Sequence, residues 1–99
     1  MKEITTQDLI KKYQQDQQIK IIDVREDDEV ALGKAPGALH IPLGDVANRV
    51  QELNKDEHYY VICRSGGRSA TACKILAENN IDCTNIAGGM LAWDEEVEI

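Results

Sequence analysis

Ninety-nine residues, 42% of them hydrophobic, suffice for one hydrophobic core and are too few for two, so one domain over residues 1–99 is expected. The formal net charge of −7 excludes a nucleic-acid face, which needs clustered Lys and Arg, and no apolar run is long enough to cross a membrane as a helix. The three cysteines, Cys63, Cys73 and Cys83, form no C-x-x-C pair and have no histidine at ligand spacing, which argues against a disulfide framework and a zinc site.

The N-terminus turns polar too early for a secretory signal and carries acidic residues that a transit peptide avoids, which makes the cytoplasm the expected location. Thr5 with Asp8 three residues on resembles a capping box. Leu9, Ile10 and Tyr13 then recur at helical spacing and predict a first helix reaching Gln17 or Gln18. IKIIDV (Ile19 to Val24) is β-branched with little alternation, the pattern of a strand covered on both faces. A brief helix from Asp27 to Leu32 and an irregular connection through GKAPGALHIP follow. After Asp45, the spacing of Val46, Val50 and Leu53 predicts a helical stripe.

YYVIC (Tyr59 to Cys63) is a second strand and RSGG a turn. The next helix runs from Arg68 or Ser69 to Glu78, with Ala70, Cys73, Leu76 and Ala77 facing inward. Ile81 to Ile86 reads as a third strand, and Gly88-Gly89 leads into a short final helix through Trp93, taken as a packing residue. The acidic ending DEEVEI is expected to be a solvated tail. Strands alternating with helices predict an α/β fold, a mostly parallel central sheet flanked by helices on both faces.

Ligands of such sheets gather beyond the carboxyl ends of the strands, where Cys63 is placed. The following helix turns its free N–H groups and positive dipole end toward the loop, and Gly66 and Gly67 let successive amides point inward as a nest. Arg64 and Arg68 add positive charge, and such surroundings favour a nucleophilic thiolate. The plain alternative is a small buried hydrophobe closing the strand. Two glycines and two arginines are unneeded for that, and arginines at a packed strand end are costly without an anion to meet.

CRSGGRS, preceded by DVRE (Asp23 to Glu26) and PGALHIPL (Pro36 to Leu43) and followed by GGMLAW (Gly88 to Trp93), resembles a single-domain rhodanese over nearly the whole chain. The resemblance implies a sulfurtransferase whose loop cysteine, Cys63, takes a sulfane sulfur from a small anionic donor such as thiosulfate, becomes a persulfide, and passes the sulfur to cyanide or a thiol. A protein could serve as donor or acceptor. Arg64, Ser65, Gly66, Gly67 and Arg68 would cradle persulfide and substrate, Asp23 and Arg25 would brace the loop, and Ser69 would support it. Neither a metal nor an organic cofactor is implied.

Two other functions remain open. One is a non-catalytic module that binds a partner protein through the same loop. The other is a cysteine phosphatase or arsenate reductase, whose C-x5-R loop is one residue longer than the interval from Cys63 to Arg68 and would need arginine where Ser69 stands. Cys73 and Cys83 read as core thiols, with a role in resolving an oxidised Cys63 as a minor alternative. His40 and His58 read as loop or surface residues. The chain has Gly33-Lys34-Ala35-Pro36-Gly37-Ala38 where rhodaneses commonly carry G-H-I-P-G-A, and Lys34 could extend the basic lining of the site.

Overall fold

The apolar runs around Ile21, Val61 and Thr84 become the three inner strands of a sheet in the computed structural model, which describes residues 1–99. The strands are β1 (Lys2–Thr5), β2 (Lys20–Asp23), β3 (Leu39–His40), β4 (His58–Ile62) and β5 (Asp82–Ala87). Their order is β1-β5-β4-β2-β3 and every pair is parallel. Val61 sits at the centre, in register with Ile22 on one side and Asn85 on the other.

Alternation along β4 divides the core. Tyr59, Val61 and Cys63 join one apolar cluster, while Ile62 and the half-buried Tyr60 join the other. The first cluster is closed by Val46 of α3 (Val46–Arg49) and by Ala72, Cys73 and Leu76 of α4 (Gly67–Glu78). The second is closed by Leu9 and Tyr13 of α1 (Thr6–Gln15). Helices therefore cover both faces, and inner strands buried on both sides read as continuous apolar runs. No helix is long and apolar enough to cross a membrane.

Local differences from the expected elements have physical causes. The edge strands β1 and β3 were not foreseen, because β1 half-buries only Ile4 and β3 is two residues long with Leu39 exposed. Thr5 caps α1 by accepting the Asp8 N–H at 3.1 Å. The helix stops at Gln15, and the Asp16 carboxylate then accepts the Gln18 N–H at 2.9 Å in a local turn. The stripe of Val46, Val50 and Leu53 does face the core, but on a single α-turn flanked by 3-10 turns at Leu43–Asp45 and Val50–Glu52. On α4 the buried stripe is Ser69, Ala72, Cys73 and Leu76, whereas Ala77 is exposed and Ala70 half-buried. The final helix is a 3-10 turn, Gly89–Ala92.

The acidic ending is a tie rather than a loose tail. Lys34 and Glu98 form an antiparallel bridge, the Lys34 ammonium meets the Glu98 carboxylate at 2.9 Å, and Glu98 also accepts the Gly37 N–H at 2.8 Å. Gly33, with φ of 132°, lies beneath Val97 so closely that a Cβ would stand 2.6 Å from it. Lys34 is thus committed to the C-terminal segment and adds nothing to the loop after β4. His40 and His58 stand on strands: His40 Nε2 is 2.7 Å from the Arg25 carbonyl, and His58 bridges Asp82 and Thr84 at 2.6 and 2.7 Å. Trp93 packs edge-on against Tyr13 and donates to the Glu96 carbonyl at 2.9 Å, consistent with its packing role.

Candidate active site

β2 and β4 are neighbours whose outgoing connections diverge, β2 leading toward β3 and β4 leading toward β5. A crevice forms at such a switch point beyond the carboxyl ends of the strands. Cys63 follows β4 at this place. Gly66 adopts a left-handed conformation with φ of 107°, which an L side chain would strain, and the reversal turns its N–H back to the Cys63 sulfur at 3.0 Å. α4 begins at the next residue, and the buried Ser69 hydroxyl on its first turn lies 3.3 Å from the same sulfur. Gly67 has a negative φ and open space around it, so only one of the two glycines is required by the backbone.

A second glycine turn holds this loop from behind. Met90 N–H donates to the Cys63 carbonyl at 2.8 Å and Leu91 N–H to the Arg64 carbonyl at 3.0 Å. Gly89, with φ of 54°, passes so close that a Cβ would come within 2.5 Å of both carbonyl oxygens. Asn85 adds a side-chain N–H to the Gly66 carbonyl at 3.3 Å. With the carbonyls tied outward, the amides are free to face the sulfur. Sequence reasoning saw GGMLAW as a motif without seeing this function, since only the contact of Gly89 with the loop backbone reveals it.

Cys63 is 1% exposed. Burial is the largest single influence on its thiol and raises the pKa, yet the Ser69 hydroxyl and the N–H groups of Ser69, Gly66 and Ser65 together outweigh it and bring the pKa below that of an ordinary cysteine. Cys73 is buried to the same extent and its thiol is pushed up, by its contact with Cys83 and by desolvation. Cys83 is half-buried, with its sulfur 3.8 Å from the Cys73 carbonyl.

The arginines divide in a way the sequence did not show. Arg25 forms a two-pronged pair with the fully buried Asp23, at 2.9 and 3.1 Å, and donates to the Gly33 carbonyl at 2.8 Å. This pair braces the β2 end beside the loop, where the Val24 N–H also meets the Ile62 carbonyl at 3.0 Å. Arg68 makes a bidentate pair with Glu29 of α2 (Asp27–Val30), one prong at 2.8 Å. That contact raises the Arg68 pKa and, with the Glu26 N–H, lowers Glu29 to about 2. Arg64 is exposed and pairs with no carboxylate. It lines a depression of about 210 Å³ together with Arg25, Glu29, Leu32, Met90 and Leu91. Glu29 is the site residue sequence reasoning missed. Its trace was the spacing Glu26-x-x-Glu29, which closes as a reciprocal capping box.

No group of three or more His, Cys, Asp or Glu side chains is arranged to hold a metal ion. The arrangement can hold a sulfur anion at a helix N-terminus, within reach of the charge of Arg68.

The sequence model of the family described as Rhodanese-like domain matches residues 5–96. A Bacillus subtilis protein, YtwF, classed by name among sulfurtransferases, is 46% identical over 98 residues, covering 99% of this chain and 95% of that protein. A protein of Allochromatium vinosum named sulfurtransferase is 33% identical over 92 residues, covering 92% of this chain and 86% of its own length. Among solved structures, a rhodanese-like domain protein from Staphylococcus aureus superposes with a TM-score of 0.94 at 43% identity, covering 100% of this chain and 98% of that one.

Proposed function

The chain belongs to the rhodanese-like family of sulfurtransferases, and from that premise we propose that Cys63 is the sulfur carrier. Its thiolate attacks the outer sulfur of a sulfane donor. With thiosulfate, the sulfur-sulfur bond breaks, the electron pair leaves with sulfite, and Cys63 becomes a persulfide anion. A nucleophilic acceptor, cyanide or a thiol, then takes the outer sulfur and returns the Cys63 thiolate. Both steps balance without a metal or an organic cofactor.

The observation that carries this reading is the ring of donors on the Cys63 sulfur: the Ser69 hydroxyl at 3.3 Å and the Gly66 N–H at 3.0 Å, with the Ser65 and Ser69 amides beside them. Such donors stabilise the attacking thiolate and, once sulfur is loaded, the charge on the persulfide, with no reorganisation during the reaction. No general base is required, because the nucleophile is already held toward its ionised form. Arg64 is the cation available to an anionic donor. Asp23 and Arg25 keep the neighbouring strand end in place, and Arg68 anchors the start of α4 through Glu29. Three free cysteines support a reducing setting such as the cytoplasm for this chemistry.

The near-complete burial of Cys63 lends the binding-module alternative some support, and one experiment separates the two. Intact-mass measurement after incubation with thiosulfate or a low-molecular-weight persulfide is expected to show one added sulfur atom, removed by a reductant and absent in Cys63→Ser. A wild-type protein that gains no sulfur from either donor overturns the sulfur-carrier reading.

A further inference from the structure

Two of the three cysteines take no part in the chemistry at Cys63, and the fold brings them together. Cys73, on the buried stripe of α4, and Cys83, the second residue of β5, meet where that helix packs against the strand. The Cys83 thiol donates to the Cys73 carbonyl at 3.8 Å, and its side chain packs on the apolar cluster that contains Cys73. Both are free thiols.

The pair borders a groove of about 500 Å³, lined by Cys73, Ala77, Ile81 and Cys83 and by the lysines Lys2 and Lys74. This groove shares no residue with the depression at Arg64. Cys73 is 1% exposed while Cys83 is half-buried, so Cys83 is the member a visiting molecule reaches. Ionisation follows the same division. Contact with Cys83, together with burial, pushes the Cys73 thiol up, whereas the same contact brings Cys83 below an ordinary cysteine despite desolvation and the nearby Asp82 carboxylate. One accessible sulfur disposed to ionise, with a protonated sulfur behind it, is the division of labour that thiol–disulfide exchange requires.

The charge of the groove selects its visitor. Lys2 is paired with Asp82 at 3.5 Å, but Lys74 is exposed and pairs with no carboxylate. A chain of net charge −7 thus offers one free cation here beside apolar surface. An organic disulfide that bears carboxylates meets both.

We propose that Cys83 and Cys73 form a second thiol site, a dithiol–disulfide couple that exchanges with small anionic organic disulfides entering the groove between α4 and β5. The couple works independently of sulfur transfer at Cys63. The Cys83 thiolate bonds to one sulfur of R–S–S–R, that sulfur-sulfur bond breaks, and its electron pair leaves on R–S, which takes up the proton Cys83 released. Cys73 then bonds to the Cys83 sulfur, the mixed disulfide breaks with its electron pair on the second R–S, and the Cys73 proton passes to that sulfur. The two thiols are oxidised to a disulfide, R–S–S–R is reduced to two R–SH, and excess thiol runs the sequence backward.

The test uses glutathione disulfide with the wild type and with Cys63→Ser, in which Cys73 and Cys83 are the only thiols. Intact mass of Cys63→Ser is expected to show the loss of two hydrogen atoms and no retained glutathione, reversed by dithiothreitol. Peptide mapping should find Cys73 joined to Cys83 in both proteins. Cys73→Ser added to Cys63→Ser, or Cys73→Ala where serine in the apolar cluster prevents folding, should stop with one glutathione on Cys83. Cys83→Ser in the same background should leave Cys73 unmodified. Cystamine, a cationic disulfide, should react more slowly than glutathione disulfide, and Lys74→Glu should cut that preference about threefold, less as salt screens the groove. No cross-link in Cys63→Ser, a wild-type cross-link that includes Cys63, or an adduct on Cys73 ahead of Cys83 overturns the couple. A preference untouched by Lys74→Glu overturns the choice of an anionic partner. Sulfur loading at Cys63, read separately with thiosulfate, stands or falls apart from these outcomes.

Discussion

Cys63 and Cys73 lie in the same apolar cluster on the same face of the sheet, each 1% exposed, yet their thiols are driven in opposite directions. Cys73 sits in the middle of α4, where the backbone N–H groups are already spent on helical bonds, and its neighbours are apolar side chains and the Cys83 thiol. Cys63 sits before the first turn of that helix, where N–H groups have no intrahelical partner. Burial alone therefore does not decide which way a thiol's pKa moves. The supply of unspent donors does.

Gly89→Ala is expected to damage that supply most. A Cβ at this position meets the Cys63 and Arg64 carbonyls at 2.5 Å on a residue whose φ is 54°, so the outward ties of the loop must shift. We expect a loss of about 3 kcal/mol in urea unfolding and, in the protein that remains folded, a Cys63 that resembles Cys73 in its resistance to alkylation. Retention of wild-type stability and thiol reactivity would show that the loop holds its shape without the second glycine turn.

Ser69→Ala cuts more narrowly. It removes the nearest side-chain donor and leaves the amides in place, so the Cys63 pKa should rise and alkylation by iodoacetamide at neutral pH should slow about fivefold, the worth of a hydrogen bond of about 1 kcal/mol. Cys73 serves as the internal reference and should stay unmodified in both proteins. An unchanged rate would assign the thiolate to the backbone alone.

The same contrast explains how far the sequence could be read. Inner strands and the main helices announce themselves, because burial on two faces forces apolar runs at Ile21–Ile22 and Val61–Ile62, and helical spacing at Leu9, Tyr13, Cys73 and Leu76. Lys2–Thr5 and Leu39–His40 do not, because an edge strand needs little apolar content and borrows its order from a partner. In the site, Cys63, Gly66 and the flanking arginines were visible as local spacing. What stayed hidden is every tie between distant segments: Gly89 against Arg64, Glu29 on Arg68, and Glu98 on Lys34. Charge was also overcounted, since a sequence lists Arg64 and Arg68 alike and only the fold shows that one of them has its carboxylate.

The smallest effect follows from linkage and carries a definite sign. The folded Cys63 thiol has a pKa below the ordinary cysteine value that it takes in the unfolded chain. Between those two values the unfolded state binds more protons than the native state, so stability rises with pH there. The contribution is complete above the unfolded value and disappears as pH falls through the folded value. Urea midpoints of the wild type and Cys63→Ala, compared at pH 6 and pH 9, should therefore diverge in favour of the wild type at the higher pH. Parallel midpoints would mean that native donors around the sulfur stabilise its anion no better than water does, and the distinction between Cys63 and Cys73 would then be one of position only.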